Sequence, residues 1–372
     1  MDHIQLRRNS LLKSAHSREI DGYLVTSPTN ITYLTGFARP GGNLLIVADS
    51  TTLIADPQTI ARAEKECPGL TFLVHEGTTP IERTAAEVIR KVGIRSLGVE
   101  ARSLTIESLK ILQDALGKTR VVPESGVIEN HREIKDASEV EEIRNSTKIA
   151  ERAFRMFAPQ LRETDTEVAM RDALELFLRR AGCPDVAFPT VIAVGDHGAA
   201  VDLTPNDTQL VEGSKLLVDF GARLRYRTRL TRTCKTPFMV TPSRKTKRER
   251  LEYDIDTVFA AVMSARENAL DVLVEGTPLS EVHGAAMSIL KEAGLGEFAL
   301  DMIGHGIGLE TVEAPWIRAG VPGECQSGMV ICLGVGVSIP GWGAVRLADP
   351  VLVTRDRALP LISRPISLND LL

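Results

Sequence analysis

Apolar residues in the first third of the chain alternate between short continuous runs and helical spacing. The continuous runs predict strands at residues 22–27, 43–48, 51–55, 71–75 and 96–99. The segments between them place apolar side chains about 3.6 residues apart, the period of an amphipathic helix. These segments cover residues 57–66, 79–92 and 105–116. Strands that alternate with helices predict an N-terminal α/β domain.

A polar, weakly periodic stretch at residues 123–136 predicts a junction between two domains, covering 1–130 and 137–372. A long helical pattern follows and continues to about residue 160, with Asp136 or Ser138 as its N-cap. A second helix is predicted at about 165–181. Thr164 is its expected N-cap, and Glu167 would complete a capping box.

The second domain repeats one order of elements. Two helices are followed by apolar runs at 190–195 and 215–221. Helical patterns then return at about 249–275 and 278–294, followed by apolar runs at 329–337 and 344–353. Two passes of helix, helix and strands indicate an internal duplication in an α+β domain.

Composition narrows the class of protein. Of the 372 residues, 43% are hydrophobic and 25% are charged, which is typical of a folded globular chain. The net charge of −5 argues against general affinity for nucleic acid or anionic membranes. Neither a signal-type apolar segment nor an 18-residue apolar run occurs. The five cysteines form no CxxC pair, which favours reduced thiols in a cytoplasmic protein.

One segment, residues 223–250, is strongly basic, with eleven Lys or Arg and a single acid, Glu249. Its first four arginines, at 223, 225, 227 and 229, alternate and would share one face of a strand. The block 244–250 is typical of a solvent-exposed helix start. A role with nucleic acid stays open for this segment, although the acidic total disfavours it.

Five segments together carry a family resemblance. They are TSPTNITYLTGF (26–37), DASEVEEIRNSTKIAERAF (136–154), LLVDFGA (216–222), GHGIGLETVEAP (304–315) and GMVICLGVGVSIPGWGAVRLADPVLVT (328–354). In order and spacing they resemble the Xaa-Pro aminopeptidases and prolidases, which share the pita-bread fold with creatinase. The resemblance implies a creatinase/prolidase-type N-terminal domain that contributes to a homodimer. It also implies a C-terminal pita-bread domain with a pseudo-twofold repeat.

The resemblance further implies two divalent ions, usually manganese, cobalt or zinc, held by two Asp, one His and two Glu. Such a pair activates a bridging hydroxide and polarises the scissile carbonyl. Asp219 and His305 match two of these ligands. The other three positions carry Arg229, Gly334 and Ala348, none of which is an acid. We therefore expect that no metal centre forms and that no cofactor is needed.

The family's three catalytic histidines are also replaced. Asp202 and Asp301 stand at two of their positions, and Val312 precedes Glu313 at the third. His197 lies close enough in sequence to Asp202 to serve instead, although a solvated loop residue is the simpler reading. Creatinase works without metal, but it needs a histidine and glutamates where this chain has Asp202, Gly334 and Ala348. Its chemistry is therefore not carried over.

Arg229 is the most informative replacement, and two readings stay open. Its guanidinium could pair with Asp219 and neutralise the carboxylate that a metal would otherwise hold. Alternatively, the shortened hairpin turns Arg229 to solvent. In either reading the pocket would still hold titratable groups. Of these, His305, Asp202 and Asp301 are the candidates for acid–base catalysis. The titratable groups are Asp202, Asp219, Arg229, Asp301, His305, Glu313 and Arg346.

Three functions follow from these residues. The first is a non-peptidase homodimer that binds a peptide, a protein or a small molecule. The second is a metal-independent hydrolase or lyase of a small amide or amidine, using the altered pocket. The third is an ordinary Xaa-Pro metallopeptidase, which would need ligands that the sequence does not provide.

Overall fold

A computed structural model describes residues 3–38, 40–236 and 253–364, together with 367 and 369. The chain divides into two compact units, Met1–Arg132 and Glu133–Leu372. The basic block 244–250 lies outside the described residues, so its predicted exposure stays a prediction. Within the described part of the chain, no helix is both long and apolar enough to cross a membrane.

The first unit is built on a six-stranded mixed sheet in the order β4-β3-β2-β1-β5-β6. All five strands predicted from the sequence are present in it. The strands are β1 Gly22–Val25, β2 Asn43–Val47, β3 Ser50–Ala55, β4 Thr71–Val74, β5 Ser96–Glu100 and β6 Arg120–Glu124. The helices are α1 His3–His16, α2 Pro28–Thr35, α3 Pro57–Glu66, α4 Ile81–Val92, α5 Ile106–Leu116 and α6 Val127–Glu133.

Three of these helices, α1, α2 and α6, were not predicted. Helix α2 begins where the Ser27 hydroxyl accepts a hydrogen bond from Asn30 N and Pro28 takes the first helical position. It ends at Gly36, which adopts the left-handed conformation that glycine accepts without strain. Helix α6 lies within the polar stretch that we read as a junction.

The second unit contains a larger sheet and four long helices among its described residues. The helices are α7 Ala137–Phe157, α8 Glu167–Arg180, α9 Ile255–Val272 and α10 Leu279–Glu292. The first strands are β7 Asp185–Val186, β8 Val191–Val194, β9 Lys215–Phe220, β10 Ala222–Arg223 and β11 Leu230–Lys235. The remaining strands are β12 Met302–Gly306, β13 Glu313–Arg318, β14 Val330–Ile339, β15 Gly343–Val353 and β16 Ala358–Pro360.

The order of the large sheet displays the internal duplication. It runs β13-β12-β14-β15-β11-β9-β8. Strands β12, β14 and β15 of the second pass therefore mirror strands β8, β9 and β11 of the first. The two halves meet between β15 and β11, where Thr231 pairs with Ala348. A pseudo-twofold relation between the halves explains why one pattern of elements occurs twice.

Side chains on these strands alternate between the helices and the opposite face. On β9, Leu216 and Val218 are fully buried in one apolar cluster with helices α7 and α8. On β14, Leu333 and Val335 are buried in a second cluster with helices α9 and α10. The residues between them in sequence point away from the helices, so their side chains are available for a site.

The helix starts agree with the sequence at one of two positions. Of the two predicted candidates, Asp136 rather than Ser138 caps α7, and it forms a capping box with Glu139 that was not predicted. The cap of α8 is Thr166, so the prediction of Thr164 was wrong. Thr164 has a φ of 75° and the extended Thr166 takes the cap. Glu167 is therefore the first helical residue and is free to accept hydrogen bonds from elsewhere.

The alternating arginines do not share one strand. Strand β10 ends at Arg223 and β11 begins at Leu230, so residues 224–229 form the hairpin between them. Arg223 pairs with Asp185, Arg225 pairs with Glu142, and Arg227 donates to Thr311. These three arginines thus have three separate partners.

A buried ion triad connects the sheet to α9. Asp349 on β15 is fully buried and accepts hydrogen bonds from Arg232 Nη2 at 2.7 Å and from Arg266 Nη2 at 2.9 Å. Arg232 also donates to the carbonyls of Thr231 and Ala348, both at 3.0 Å. The triad therefore holds β11, β15 and α9 together on the helix side of the sheet.

Asp349→Ala is expected to destabilise the protein by about 3–5 kcal/mol, because it leaves two buried guanidinium groups without their carboxylate. The free energy of unfolding, measured in urea, checks this value. Asp172→Ala is the matched control, since Asp172 pairs with Arg171 on the surface and should change stability by less than about 1 kcal/mol. Equal effects of the two variants would contradict the structural role of the triad.

Candidate functional site

One row of residues crosses four strands on the face of the sheet opposite the helices. Asp219 pairs with Thr231, Thr231 with Ala348, and Ala348 with Gly334. Directly paired residues of neighbouring strands project to the same side of a sheet. The row therefore forms a floor that combines a carboxylate and a hydroxyl with two positions that carry little or no side chain.

The floor lies in a cavity of about 290 Å³. Residues two positions before members of the row also face it, as a strand period of two requires. These are Leu217, Arg229, Cys332 and Arg346. The remaining lining residues are Leu203, Leu300, Asp301, Met302, Gly304, His305 and Leu347.

Arg229 binds Asp219 with a two-pronged hydrogen bond. Arg229 Nε lies 3.0 Å from Asp219 Oδ1, and Nη2 lies 2.5 Å from Oδ2. Thr231 Oγ1 donates a third hydrogen bond to Oδ1 at 3.0 Å. Of the two readings left open by the sequence, the structure has the ion pair rather than the solvent-facing arginine. The Asp219 carboxylate thus already accepts three hydrogen bonds.

The environment of Arg229 keeps it charged. Its guanidinium lies over the ring of Phe188, 5.1 Å from the centroid. Burial acts to lower the pKa of Arg229, but the charge of Asp219 and the hydrogen bonds to it outweigh burial and raise the pKa. Arg229 therefore stays a cation beside the Asp219 carboxylate.

His305 is a neutral ring at the edge of the floor. Its Nδ1 lies 2.9 Å from the Gly306 carbonyl oxygen. Because a carbonyl only accepts, Nδ1 carries the proton, which leaves the lone pair on Nε2. Burial lowers the pKa of His305, and the positive charge of Arg229 lowers it further, while the bond to Gly306 opposes both. A neutral histidine with a free lone pair can act as a base or as a hydrogen-bond acceptor.

Arg346 and Cys332 complete the polar lining. Arg346 Nη2 donates to Ser338 at 2.7 Å, and burial lowers the pKa of this guanidinium. Burial raises the pKa of the Cys332 thiol to about 12, so it stays protonated at neutral pH. Cys332 pairs with His305 across β14 and β12, so the thiol and the imidazole project to the same face of the sheet.

The residues present do not fit a pair of divalent ions. Such ions need several carboxylate or imidazole donors. Asp219 is committed to Arg229 and Thr231, while Gly334 and Ala348 offer no donor atoms. Across the described ranges, no group of three or more His, Cys, Asp or Glu side chains is placed to hold a metal.

Two residues expected in the pocket lie outside its lining. Asp202 is exposed and accepts hydrogen bonds from Thr204 N and Oγ1, at 2.9 and 2.6 Å. The Thr204 hydroxyl bond lowers the pKa of Asp202. Glu313 pairs with the buried Lys135 at 2.8 Å and does not line the cavity. Asp301, by contrast, lines the cavity and is exposed, which places it at the mouth.

His197 is tied to a loop and does not line the cavity. Its Nδ1 lies 2.8 Å from both carboxylate oxygens of Glu167, and its Nε2 lies 3.2 Å from the Asp202 carbonyl oxygen. Glu167 is fully buried and also accepts from Val194 N and Asn206 N. These bonds hold the loop around Leu203, a wall of the cavity, and they leave His197 no contact with the floor.

Sequence reasoning missed two members of the site. The Thr231 hydroxyl supports Asp219, and the Cys332 thiol lies beside His305. Both could have been found from the strand period, because each lies two positions from a predicted site residue and therefore projects to the same face of the sheet. Thr231 follows Arg229 by two, and Cys332 precedes Gly334 by two.

Two family models match this chain. Residues 141–355 match metallopeptidase family M24, and residues 7–134 match the creatinase/prolidase N-terminal domain. The first match alone covers more than half of the chain. Together they account for both compact units.

Similar proteins cover nearly the full length. An uncharacterized peptidase of Bacillus subtilis, YqhT, is 26% identical over 91% of this chain and 92% of its own. Among solved structures, an Xaa-Pro dipeptidase from Bacillus anthracis has a TM-score of 0.88 at 26% identity, covering 98% of this chain and 99% of that one. A prolidase from Pyrococcus horikoshii OT3 has a TM-score of 0.83 at 25% identity, covering 97% and 99%. These matches confirm the expected fold of two domains with a mixed α/β architecture.

Arg229→Met is expected to destabilise the protein by about 2–3 kcal/mol, because the Asp219 carboxylate then lacks its charged partner. The Arg229 side chain is 31% exposed, so the loss is smaller than for a fully buried pair. The double variant Arg229→Met, Asp219→Asn should recover part of that loss. A double-mutant cycle by urea unfolding measures the coupling, and simple additivity would contradict a strong pair.

The depressed pKa of His305 predicts a pH-dependent stability. The unfolded chain takes up the proton near pH 6.5 and the folded chain resists it, so wild-type stability falls as the pH drops below that value. His305→Gln should remove this component, giving a wild-type-minus-variant slope of at most about 1.4 kcal/mol per pH unit. Unfolding between pH 7.5 and about 5 checks it. The exposed His16→Gln is the control, and a flat difference for His305→Gln would refute the assignment.

Proposed function

The chain belongs to metallopeptidase family M24, and we propose that it is a metal-free member that binds a small ligand in its cavity instead of hydrolysing peptides. The observation that carries this proposal is the bidentate ion pair between Arg229 and Asp219, in which Nη2 lies 2.5 Å from Oδ2. A fixed cation stands against the one aspartate of the floor. A divalent ion at the same carboxylate would have to displace it or tolerate its positive charge.

The other changed positions support the same proposal. Gly334 and Ala348 face each other across β14 and β15, and a Cβ added at Gly334 would lie 3.4 Å from the Ala348 Cβ. The floor therefore has open space where the family resemblance implies two glutamates. Losing three acidic ligands removes most of the negative charge that would attract a metal pair.

A second candidate function is metal-independent acid–base catalysis on a small amide or amidine. The free Nε2 lone pair of His305 favours it, since a neutral buried imidazole can accept a proton. Asp301 at the cavity mouth is the acid that the structure leaves available within the cavity lining. Asp202 does not serve this candidate, because its side chain is bonded to Thr204 outside the lining.

The relatives are named peptidases, so metal content and turnover decide between the functions. We expect purified protein to retain less than stoichiometric manganese, cobalt or zinc after incubation with each ion. We also expect no turnover of Xaa-Pro dipeptides or longer Xaa-Pro peptides, with or without manganese. Two bound ions with turnover would overturn the proposal, whereas metal-free turnover of an amide would favour the second candidate.

A positive control for this measurement can be built in the same chain. The triple variant Arg229→Asp, Gly334→Glu, Ala348→Glu supplies carboxylates beside Asp219 and His305, and is expected to take up manganese. The matched triple variant Arg229→Asn, Gly334→Gln, Ala348→Gln has similar shape without the added charges, so it should not bind the ion. Circular dichroism confirms that both variants are folded before metal is added.

The remaining expectations stay predictions. They are the homodimer, a peptide or protein partner, the cytoplasmic location and the absence of nucleic-acid binding. The basic segment 223–250 has described partners only up to residue 235. Its role therefore stays a prediction as well.

A further inference from the structure

The interior of the cavity has more positively charged than negatively charged side chains. Arg229 and Arg346 both line it, and each carries one positive charge. Asp219 balances one of them through the ion pair with Arg229. Asp301 lies at the exposed mouth, and His305 is neutral. The interior is thus left with one positive charge, which has no carboxylate partner within the described residues.

Both guanidinium groups retain unused donors. Arg229 spends Nε and Nη2 on Asp219, which leaves Nη1 without a described partner. Arg346 spends Nη2 on Ser338. Its Nε is buried without a hydrogen-bond partner in the described part of the protein. A buried guanidinium N–H without a partner is costly, so an acceptor at this position would be bound favourably.

The remaining walls are apolar. Leu203, Leu217, Leu300 and Met302 line the cavity along with the arginines. A volume of about 290 Å³ lies near the lower limit for small-molecule sites in proteins. Apolar walls with a few fixed polar groups are the usual construction of a site for an organic ligand.

We propose that this cavity binds a small organic monocarboxylate, with the carboxylate between the guanidinium groups of Arg229 and Arg346 and the hydrocarbon part against the leucines. This inference rests on the proposed metal-free function, since a metal pair would occupy the same floor. Guanidinium groups recognise carboxylates through paired, charge-assisted hydrogen bonds. The single uncompensated charge matches one carboxylate.

Inorganic phosphate and dicarboxylates fit this site less well. Either would bring a second negative charge into an interior that has one positive charge to offer, and Asp301 would repel it at the mouth. Phosphate would also leave the apolar walls without a partner. A monocarboxylate with a short hydrocarbon chain or ring satisfies both parts of the lining.

Pairs of probes that differ only in charge test the proposal. Butyrate is compared with butyramide, and benzoate with benzamide, with inorganic phosphate and succinate as further arms. Thermal unfolding of the full chain at up to about 20 mM probe detects millimolar dissociation constants. We expect at least one monocarboxylate to raise the unfolding temperature while its amide, phosphate and succinate do not. Binding of neither monocarboxylate, or equal binding of the amides, would overturn the inference.

Variants assign the binding to the two arginines. Arg346→Met is expected to weaken the binding of that monocarboxylate about 10- to 100-fold, and Arg346→Lys by a smaller factor. The control is Arg171→Met, which removes an exposed arginine on α8 and should leave affinity unchanged. The double variant Arg229→Met, Asp219→Asn avoids an unpaired carboxylate and should also weaken binding. Unchanged affinity in folded Arg346→Met would refute the proposal.

Metal analysis of the same preparation separates the two possible failures. If two ions are bound, the metal-free function is wrong and this inference falls with it. If no ion is bound and no monocarboxylate binds, only the ligand class is wrong. Stabilisation by phosphate in place of the monocarboxylates would likewise reject the proposed ligand while leaving the metal-free function intact.

Discussion

The two-residue alternation of side chains along the strands of the second unit determines which side chains pack against the helices and which line the cavity. It sends Leu216 and Val218 into the helices and sends Leu217 and Asp219 to the opposite face. Because neighbouring strands are in register, the outward positions of four strands meet in one row. The floor formed in this way lies on strands and is as rigid as the sheet, while Arg229 and Leu203 reach the cavity from loops.

Charge balance then limits what the row can hold. A buried carboxylate needs a cation, whether this is a metal ion or a side chain. Arg229 meets this need for Asp219, and the Thr231 hydroxyl adds a further donor. The charge of Asp219 is thus balanced by a side chain, whereas Arg346 has no carboxylate partner among the described residues.

Much of the fold could be predicted from the sequence, because helix and strand periods are local properties. Five of the six described strands of the first unit and the repeated pass of elements follow from spacing, while β6 was not predicted. The failures arose from contacts that spacing cannot reveal. Thr164 has a positive φ, and the N-cap of α8 is the extended Thr166 instead. Glu313 is drawn to Lys135, which lies 178 residues away in sequence.

Part of the candidate site could likewise be predicted from the sequence, and part of it could not. The family resemblance implied that Asp219, Arg229, His305 and Arg346 share one pocket, and all four line the cavity. Whether Arg229 would reach Asp219 could not be decided, because the hairpin geometry between β9 and β11 sets the direction of its side chain. The side chain of Asp202 lies outside the lining because its own turn supplies donors two residues away.

Ala348 and Asp349 are neighbours on β15, yet they belong to different parts of the protein. Ala348 faces the open floor, while Asp349 is fixed between Arg232 and Arg266 beneath the helices. One strand therefore carries two separate sets of constraints, because alternate residues contact either the cavity or the helices. A substitution on the cavity face can in this way change what the cavity binds while the contacts beneath the helices stay in place.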